Sequence, residues 1–282
     1  MMKKNLSVAL SVFLLLTFIV PQLTFAKGKG SQQWFITPRI GTATLMSEVE
    51  SGFTSVDNEF SHNMGFSMDI TISKTLGTNF ELGVGVGFYS LSSSDDSLTV
   101  MDLSVWSSSH EGFNGVAFYT NPIEYKTTAF TPSVLVRYYF KKFASRVRDA
   151  QLFQPYIELN AGPNILYSEL AYTDVSGLPS DDPAFSIGKG FEPNKSPEVN
   201  LQYALGLGSR FNFKSGMTLT LAAEISKVST DYLDGAPNYA TTGTDSKIRQ
   251  DLAGLVPRIM FGVAIPLNEG STRGNQYLPW AP

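Results

Sequence analysis

Large apolar side chains alternate with small or polar ones along eight stretches of the chain. In the clearest stretch, Val199–Phe213, every second residue is apolar except Ser209, and the positions between hold Asn, Gln, Ala, Gly and one Arg. A period of two places successive side chains on opposite faces of a β-strand, so the pattern predicts eight strands. The predicted strands are Trp34–Leu45, Met64–Ser73, Phe80–Tyr89, Thr127–Phe140, Pro155–Tyr167, Val199–Phe213, Met217–Ser226 and Gly254–Leu267.

The two faces of these strands favour a membrane barrel over a soluble sandwich. A sandwich buries its large side chains and exposes polar ones, whereas here the second face carries small residues and single charges, which suits a narrow lumen. The stretches are also longer than the roughly five to six residues of soluble strands. The apolar faces end in aromatics, as at a membrane interface: Trp34, Tyr138, Phe140, Phe211 and Phe213. We therefore predict an all-β protein, an eight-stranded antiparallel transmembrane β-barrel.

The connections between the strands alternate in length, which sets the orientation. In bacterial barrels the short turns face the periplasm and the long loops face outward. Lys74–Asn79 and Lys214–Gly216 are short, and the exception, Lys141–Gln154, is a long basic connection. We expect it to be a solvated turn; the alternative is a docking patch for acidic lipid or a periplasmic partner. The long, polar connections are Met46–Asn63, Ser92–Lys126, Ser168–Glu198 and Lys227–Asp251.

The first 26 residues have the pattern of a cleaved secretory signal peptide. Lys3 and Lys4 precede the uncharged run Leu6–Val20, and small residues at Thr24 and Ala26 predict cleavage after Ala26. We expect a barrel domain over residues 27–267 and a short, disordered tail over residues 268–282. No later stretch is apolar enough for a transmembrane helix. The predicted destination is the outer membrane of a Gram-negative bacterium.

Each predicted strand carries one ionisable residue on its small face. An arginine facing lipid at mid-bilayer costs roughly 2–4 kcal/mol, so these side chains are predicted to point inward. An eight-stranded barrel is just wide enough for side chains to fill, and we expect them to pair as a structural charge network that plugs the lumen. Replacing one arginine, such as Arg258, is then expected to strand a carboxylate. The alternative is that the charges line a narrow ion path. The residues are Arg39, Asp69, Glu81, Arg137, Glu158, Arg210, Glu224 and Arg258.

Composition removes several classes of function. The net charge of −4 argues against a nucleic-acid binder driven by overall basicity. Without cysteine there is no catalytic thiol or thiolate zinc site, and two histidines cannot form a three-histidine metal site. We therefore expect no cofactor, no metal and no enzymatic activity. Ser61-His62-Asn63 differs in order from the His-x-Ser-Asn pattern of barrel lipid A deacylases, and His62 and His110 are predicted to be surface histidines.

Two segments carry a family resemblance. The strand Tyr125–Phe140, closing Val-Arg-Tyr-Tyr-Phe, and the segment Gln154–Gly162 resemble the small outer-membrane β-barrel superfamily that includes the OmpA transmembrane domain, OmpX and OmpW. The chain is similar in particular to the outer membrane protein beta-barrel domain of Bacteroidota. Gly262, Ile265 and Leu267 match the spacing of a terminal strand signal in such barrels. The resemblance implies two partners, outer-membrane lipid and the barrel-assembly machinery.

The pattern leaves three functions open. The first is a structural or adhesion role, with the long loops binding an extracellular partner. The second is an OmpW-like channel or porin for small solutes, which an apolar upper lumen would favour and the balanced charges oppose. The third is an interfacial lipid-modifying enzyme. Four aromatics of the second loop could contact a partner or pack among the loops: Trp106, Phe113, Phe118 and Tyr119.

Overall fold

The computed structural model describes residues 33–49, 55–56, 61–93, 122–142, 152–174, 176, 197–213, 218–230, 233, 239–241, 247–249 and 253–267. Twelve strands lie in this part of the chain and are numbered in chain order. Their bounds are β1 Trp34–Ala43, β2 Ser47–Val49, β3 Ser55–Val56, β4 Gly65–Leu76, β5 Phe80–Ser92, β6 Ile123–Tyr139, β7 Phe153–Tyr172, β8 Glu198–Asn212, β9 Thr218–Val228, β10 Tyr239–Thr241, β11 Lys247–Arg249 and β12 Ala253–Pro266. Within the described residues no helix is long and apolar enough to cross a bilayer.

Eight of these strands close into a barrel. β1, β4, β5, β6, β7, β8, β9 and β12 pair in that order, each antiparallel to the next, and β12 pairs back onto β1. At the closing seam Gly41 lets the two backbones approach, since a Cβ there would lie 1.8 Å from the carbonyl oxygen of Ile259. The predicted eight-stranded antiparallel barrel is confirmed.

Side chains alternate between the lumen and the outer surface along the barrel strands. On β8, Ala204 and Gly206 are buried while Leu205 and Leu207 are exposed, as the alternating pattern predicted. The outward positions form a band of exposed apolar side chains around the barrel; Leu207 is 63% and Phe261 58% exposed. This band is the surface that a bilayer would cover.

Strands β6 and β7 are longer than the alternation indicated. β6 has 17 residues and begins at Ile123, and β7 has 20 residues and ends at Tyr172. At this end the two strands remain paired, with Ile123 opposite Tyr172. Their outward positions beyond the apolar band are charged, such as Lys126 and Glu169. The predicted loops Ser92–Lys126 and Ser168–Glu198 were therefore too long, because polar outward residues hide a strand whose ladder continues into solvent.

Two short hairpins lie within connections predicted to be loops. β2 pairs with the start of β12 and β3 pairs with β2, which extends the sheet to ten strands without entering the barrel wall. β10 and β11 form a separate two-stranded sheet. Strands of two or three residues carry too little alternation to be predicted. The predicted signal peptide and the tail over residues 268–282 lie outside the described residues.

Candidate functional site in the barrel lumen

All eight ionisable residues predicted to face inward lie in the lumen. The most exposed of them is Asp69, at 8%. The three largest fully buried side chains of the described chain are arginines, Arg39, Arg137 and Arg210. Burying a charge is costly unless it is paired and hydrogen-bonded. The contacts of each guanidinium therefore decide what the lumen can do.

Partners on neighbouring strands meet through the strand register. Arg39 lies opposite Asp69, with Nε donating to Oδ1 at 2.9 Å and Nη2 to Oδ2 at 2.8 Å. Arg258 lies opposite Glu224, and its Nη2 donates to Oε2 at 2.8 Å. Such charge-assisted bonds are about twice as strong as neutral ones. The strand register alone thus brings these two ion pairs together.

Arg137 bridges two carboxylates on the strands that flank it. Its Nη1 donates to Glu81 Oε1 at 2.7 Å, and its Nε donates to Glu158 Oε2. Glu81 lies opposite Arg137 on β5, and Glu158 lies opposite it on β7. The hydroxyl of Tyr139 also donates to Glu81, at 3.0 Å.

Further pairs cross the lumen between strands that are not neighbours. Arg39 Nη2 donates to Glu158 at 3.1 Å, and its Nη1 lies 2.8 Å from Glu224 Oε1, close enough for an ion pair but without a hydrogen bond. Arg210 Nη2 lies 2.7 Å from Glu81 Oε2. With the cross-strand pairs, these contacts join all eight residues into one connected network, which we call the lumen network.

The connectivity of the lumen network corrects one expectation. Removing Arg258 does not strand its carboxylate, because Glu224 retains Arg39. Asp69, by contrast, depends on a single cation: among the described residues it pairs with Arg39 alone. Arg39 is thus the residue on which the network converges.

Aromatic rings fill the lumen at the end of the short connections. The guanidinium carbon of Arg210 lies 4.4 Å from the ring centroid of Phe35 and 5.1 Å from that of Tyr139. Arg137 lies over Tyr156 at 5.4 Å. A cation over an aromatic face is stabilised by the ring quadrupole. Charges and rings together pack this half of the lumen.

Above the lumen network, toward the long loops, lies a neutral polar layer. Asn164 Nδ2 donates to the hydroxyl of Tyr89 at 2.7 Å and to Gln202 Oε1 at 2.8 Å. Gln202 in turn donates to Ser226 at 3.3 Å. This layer spans β5, β7, β8 and β9 and separates the charges from the mouth.

The mouth itself is lined by apolar side chains. Leu91, Leu166 and Val228 each lie two positions nearer the long loops than a residue of the polar layer. With two further residues at this end of the barrel, the apolar side chains at most 2% exposed are Leu45, Leu91, Leu166, Val228 and Val256. Leu233, from the connection after β9, is also fully buried. Its carbonyl accepts a hydrogen bond from Thr127 Oγ1 at 2.7 Å, and its side chain packs on Gly254, where a Cβ would meet Leu233 Cδ1 at 1.9 Å. The alternation pattern did not predict this contact.

His62 lies beyond the apolar band, near the mouth, and is not the surface histidine that was predicted. It is half-buried, and its Nδ1 lies 2.7 Å from the hydroxyl of Tyr125. Burial lowers the pKa of His62. The described residues contain no cluster of three His, Asp or Glu side chains that could hold a metal ion.

The loop aromatics proposed as contacts, and His110, lie outside the described residues: Trp106, Phe113, Phe118 and Tyr119.

Solved structures that are similar to this chain are bacterial outer-membrane proteins. Ail of Yersinia pestis, in complex with the heparin analogue sucrose octasulfate, is 8% identical, with a TM-score of 0.38 over 83% of this chain and 99% of that chain. OprG from Pseudomonas aeruginosa is 13% identical, with a TM-score of 0.36 over 84% and 98%. The outer membrane enzyme PagL is 10% identical, with a TM-score of 0.30 over 81% and 99%.

Because these identities and TM-scores are low, the fold is assigned from the strand pairing of this chain. No protein-family model and no curated protein matches the sequence. The closed antiparallel sheet confirms, at the level of fold, the resemblance to small eight-stranded outer-membrane barrels.

Proposed function

We propose that the protein is an integral outer-membrane barrel whose lumen is closed, and that it acts as a structural or surface-interaction protein. The membrane placement is supported by the outward band, where residues such as Leu159 and Phe261 are more than half exposed. Contiguous apolar surface of this extent marks an interaction with membrane or protein. Outer-membrane lipid is thus the first partner of the chain.

The observation that carries the closed lumen is the connected network of eight buried charges. A conducting pore needs a water-filled path, with charges that ions can approach and leave. Here Arg39 and Arg137 are each 1% exposed. Arg39 on β1 pairs across the barrel with Glu158 on β7, and Arg137 on β6 links the neighbouring strands β5 and β7. The contacts therefore act as crosslinks between strands, which favours a plug.

With the lumen closed, function is assigned to the long-loop end. The charged ends of β6 and β7 extend the barrel past the apolar band on this side. Long extracellular loops on a rigid barrel are suited to adhesion or to binding a partner. We assign that contact to the loops, with Trp106, Phe113, Phe118 and Tyr119 as its aromatic candidates.

The experiment is planar-bilayer recording of the refolded protein. The proposal predicts no unitary conductance for the wild type. A steady unitary conductance would refute the closed lumen. A lipid A mass-shift assay on the same preparation addresses the lipid-enzyme alternative, for which we expect no change in lipid mass.

A second function is favoured by the apolar mouth. Leu91, Leu166 and Val228 are buried two positions beyond the polar layer and form an apolar cup, as an OmpW-like path for small apolar solutes would require. Leu233 is fully buried at the same end of the barrel, where its side chain packs on Gly254. If the cup serves uptake, Leu233→Ala should increase the entry of a medium-chain alkane into protein-containing vesicles. Equal uptake by wild type, variant and protein-free vesicles would remove this candidate.

A further inference from the structure

An arc of aromatic side chains runs along the outer surface at the end of the barrel that carries the short connections. It extends from β1 to β8, with rings on or next to β1, β5, β6, β7 and β8 and none at this end of β4. Ring centroids lie 5.1 Å apart for Phe80 and Tyr138, 5.7 Å for Tyr138 and Phe140, and 5.5 Å for Phe153 and Phe211. Trp34 begins the arc on β1. Amphipathic rings favour the boundary between headgroups and acyl chains.

Lysines lie over the aromatic arc. Lys74 Nζ is 5.2 Å from the ring centroid of Trp34, and Lys141 Nζ is 5.7 Å from that of Phe153. Lys142 follows and is exposed. A lysine at this depth rests its alkyl stem on apolar surface and keeps its ammonium among the headgroups. The arc thus presents cations at the level of lipid phosphates.

The charge at this rim has one sign among the described residues. Among the residues that the structure describes, no outward-facing carboxylate lies beside the aromatic arc: Glu81, next to Phe80 in the chain, points into the lumen and pairs there. The opposite rim is mixed: Lys126 pairs with Glu124, and Glu169 is exposed nearby. The two rims would therefore meet different lipid charge.

We propose that the aromatic arc binds the headgroups of anionic phospholipids, with Lys74, Lys141 and Lys142 contacting the phosphates. The proposal rests on the membrane placement proposed above and names the lipid class that the short-connection rim takes. Each lysine near an anionic membrane surface favours it by roughly fivefold in binding constant. It also gives the start of the basic connection Lys141–Gln154 a role as a lipid contact.

Trp34 is a reporter inside the proposed site. The test uses a variant with Trp106→Phe and Trp280→Phe, refolded into vesicles that contain brominated phosphatidylglycerol or brominated phosphatidylcholine at equal mole fraction. Bromine quenches the fluorescence of a nearby indole, so the ratio of quenching gives the local lipid preference. We expect a preference for phosphatidylglycerol of roughly fivefold at Trp34, weakened by about 0.5 M salt.

Two substitutions make the test specific. Lys74→Gln should bring the preference at Trp34 close to one, whereas Lys126→Gln, on the opposite rim, should leave it unchanged. Equal quenching by the two lipids in the parent, or a preference that survives Lys74→Gln, would overturn the proposal. Failure to insert at all, seen as loss of a β-rich circular dichroism spectrum and of heat-dependent gel migration, would instead contradict the membrane barrel.

Discussion

Replacement of Arg39 is expected to be the most damaging single change in the lumen network. Three carboxylates lie within ion-pair distance of its guanidinium. Arg39→Met keeps an unbranched side chain and removes the charge. Glu158 retains Arg137 and Glu224 retains Arg258, but Asp69 loses its one described cation. The variant therefore leaves one carboxylate unpaired in a closed lumen.

The connectivity sets the size of the effect. Removing one partner of a buried pair costs about 3–5 kcal/mol, since it leaves an uncompensated charge. In the matched control, Arg258→Met, Glu224 keeps a cation, and the loss is that of a charge-assisted hydrogen bond, about 1.5–3 kcal/mol. We expect Arg39→Met to be less stable than Arg258→Met by about 1–2 kcal/mol. Adding Asp69→Asn to Arg39→Met should restore part of the loss, because it removes the stranded charge.

The assay is urea unfolding in phosphatidylcholine vesicles, followed by tryptophan fluorescence. A shift of midpoint at constant m-value reports a change in stability. Equal midpoints for the two arginine variants, or no recovery from Asp69→Asn, would refute the connectivity. Wild-type midpoints for both would refute the network as a source of stability.

Three further predictions concern the mouth and the topology. Burial lowers the pKa of His62, so the unfolded chain binds the proton first as the pH falls below about 6.5. Wild type should then lose more stability between about pH 7.5 and 5.5 than His62→Gln in urea unfolding, and equal pH slopes would contradict this. Leu233→Ala removes the buried contact of the fourth long connection, so limited proteolysis of that connection should be faster; an unchanged rate would show that Leu233 does not hold it. Protease added to intact cells should cut between Ser93 and Pro122 and between Ser176 and Pro197 and spare Lys141–Gln154, and the reverse pattern would invert the proposed orientation.

Alternation predicted the barrel strands because each strand faces two environments, one on each side of the barrel wall. Leu207 faces outward in the apolar band and Gly206 faces a crowded lumen, and a slip of one residue would exchange them. The same reasoning placed a charge such as Glu224 inside, since no outward position in the band could hold it. These requirements act residue by residue, so the sequence carries them directly.

Pairing across the lumen could not be predicted in this way. Arg39 and Glu158 are separated by 119 positions, and their contact depends on the stagger and tilt of the closed sheet. Alternation fixes the face of a side chain but not its height relative to a strand on the far side. The burial of Leu233 was not predicted for a related reason: a single leucine in a polar connection forms no repeating pattern of apolar residues.

The central claim, that a network of paired charges closes the lumen, is tested most directly by hydrogen exchange of the arginine side chains. The Nε–H groups of Arg39 and Arg137 donate to carboxylates inside the lumen. In ¹⁵N-labelled protein folded in nanodiscs, their exchange with water should be slower than in the urea-unfolded chain by more than about tenfold. Exchange at the unfolded rate in an intact barrel would mean that water fills the lumen, and would contradict the plug.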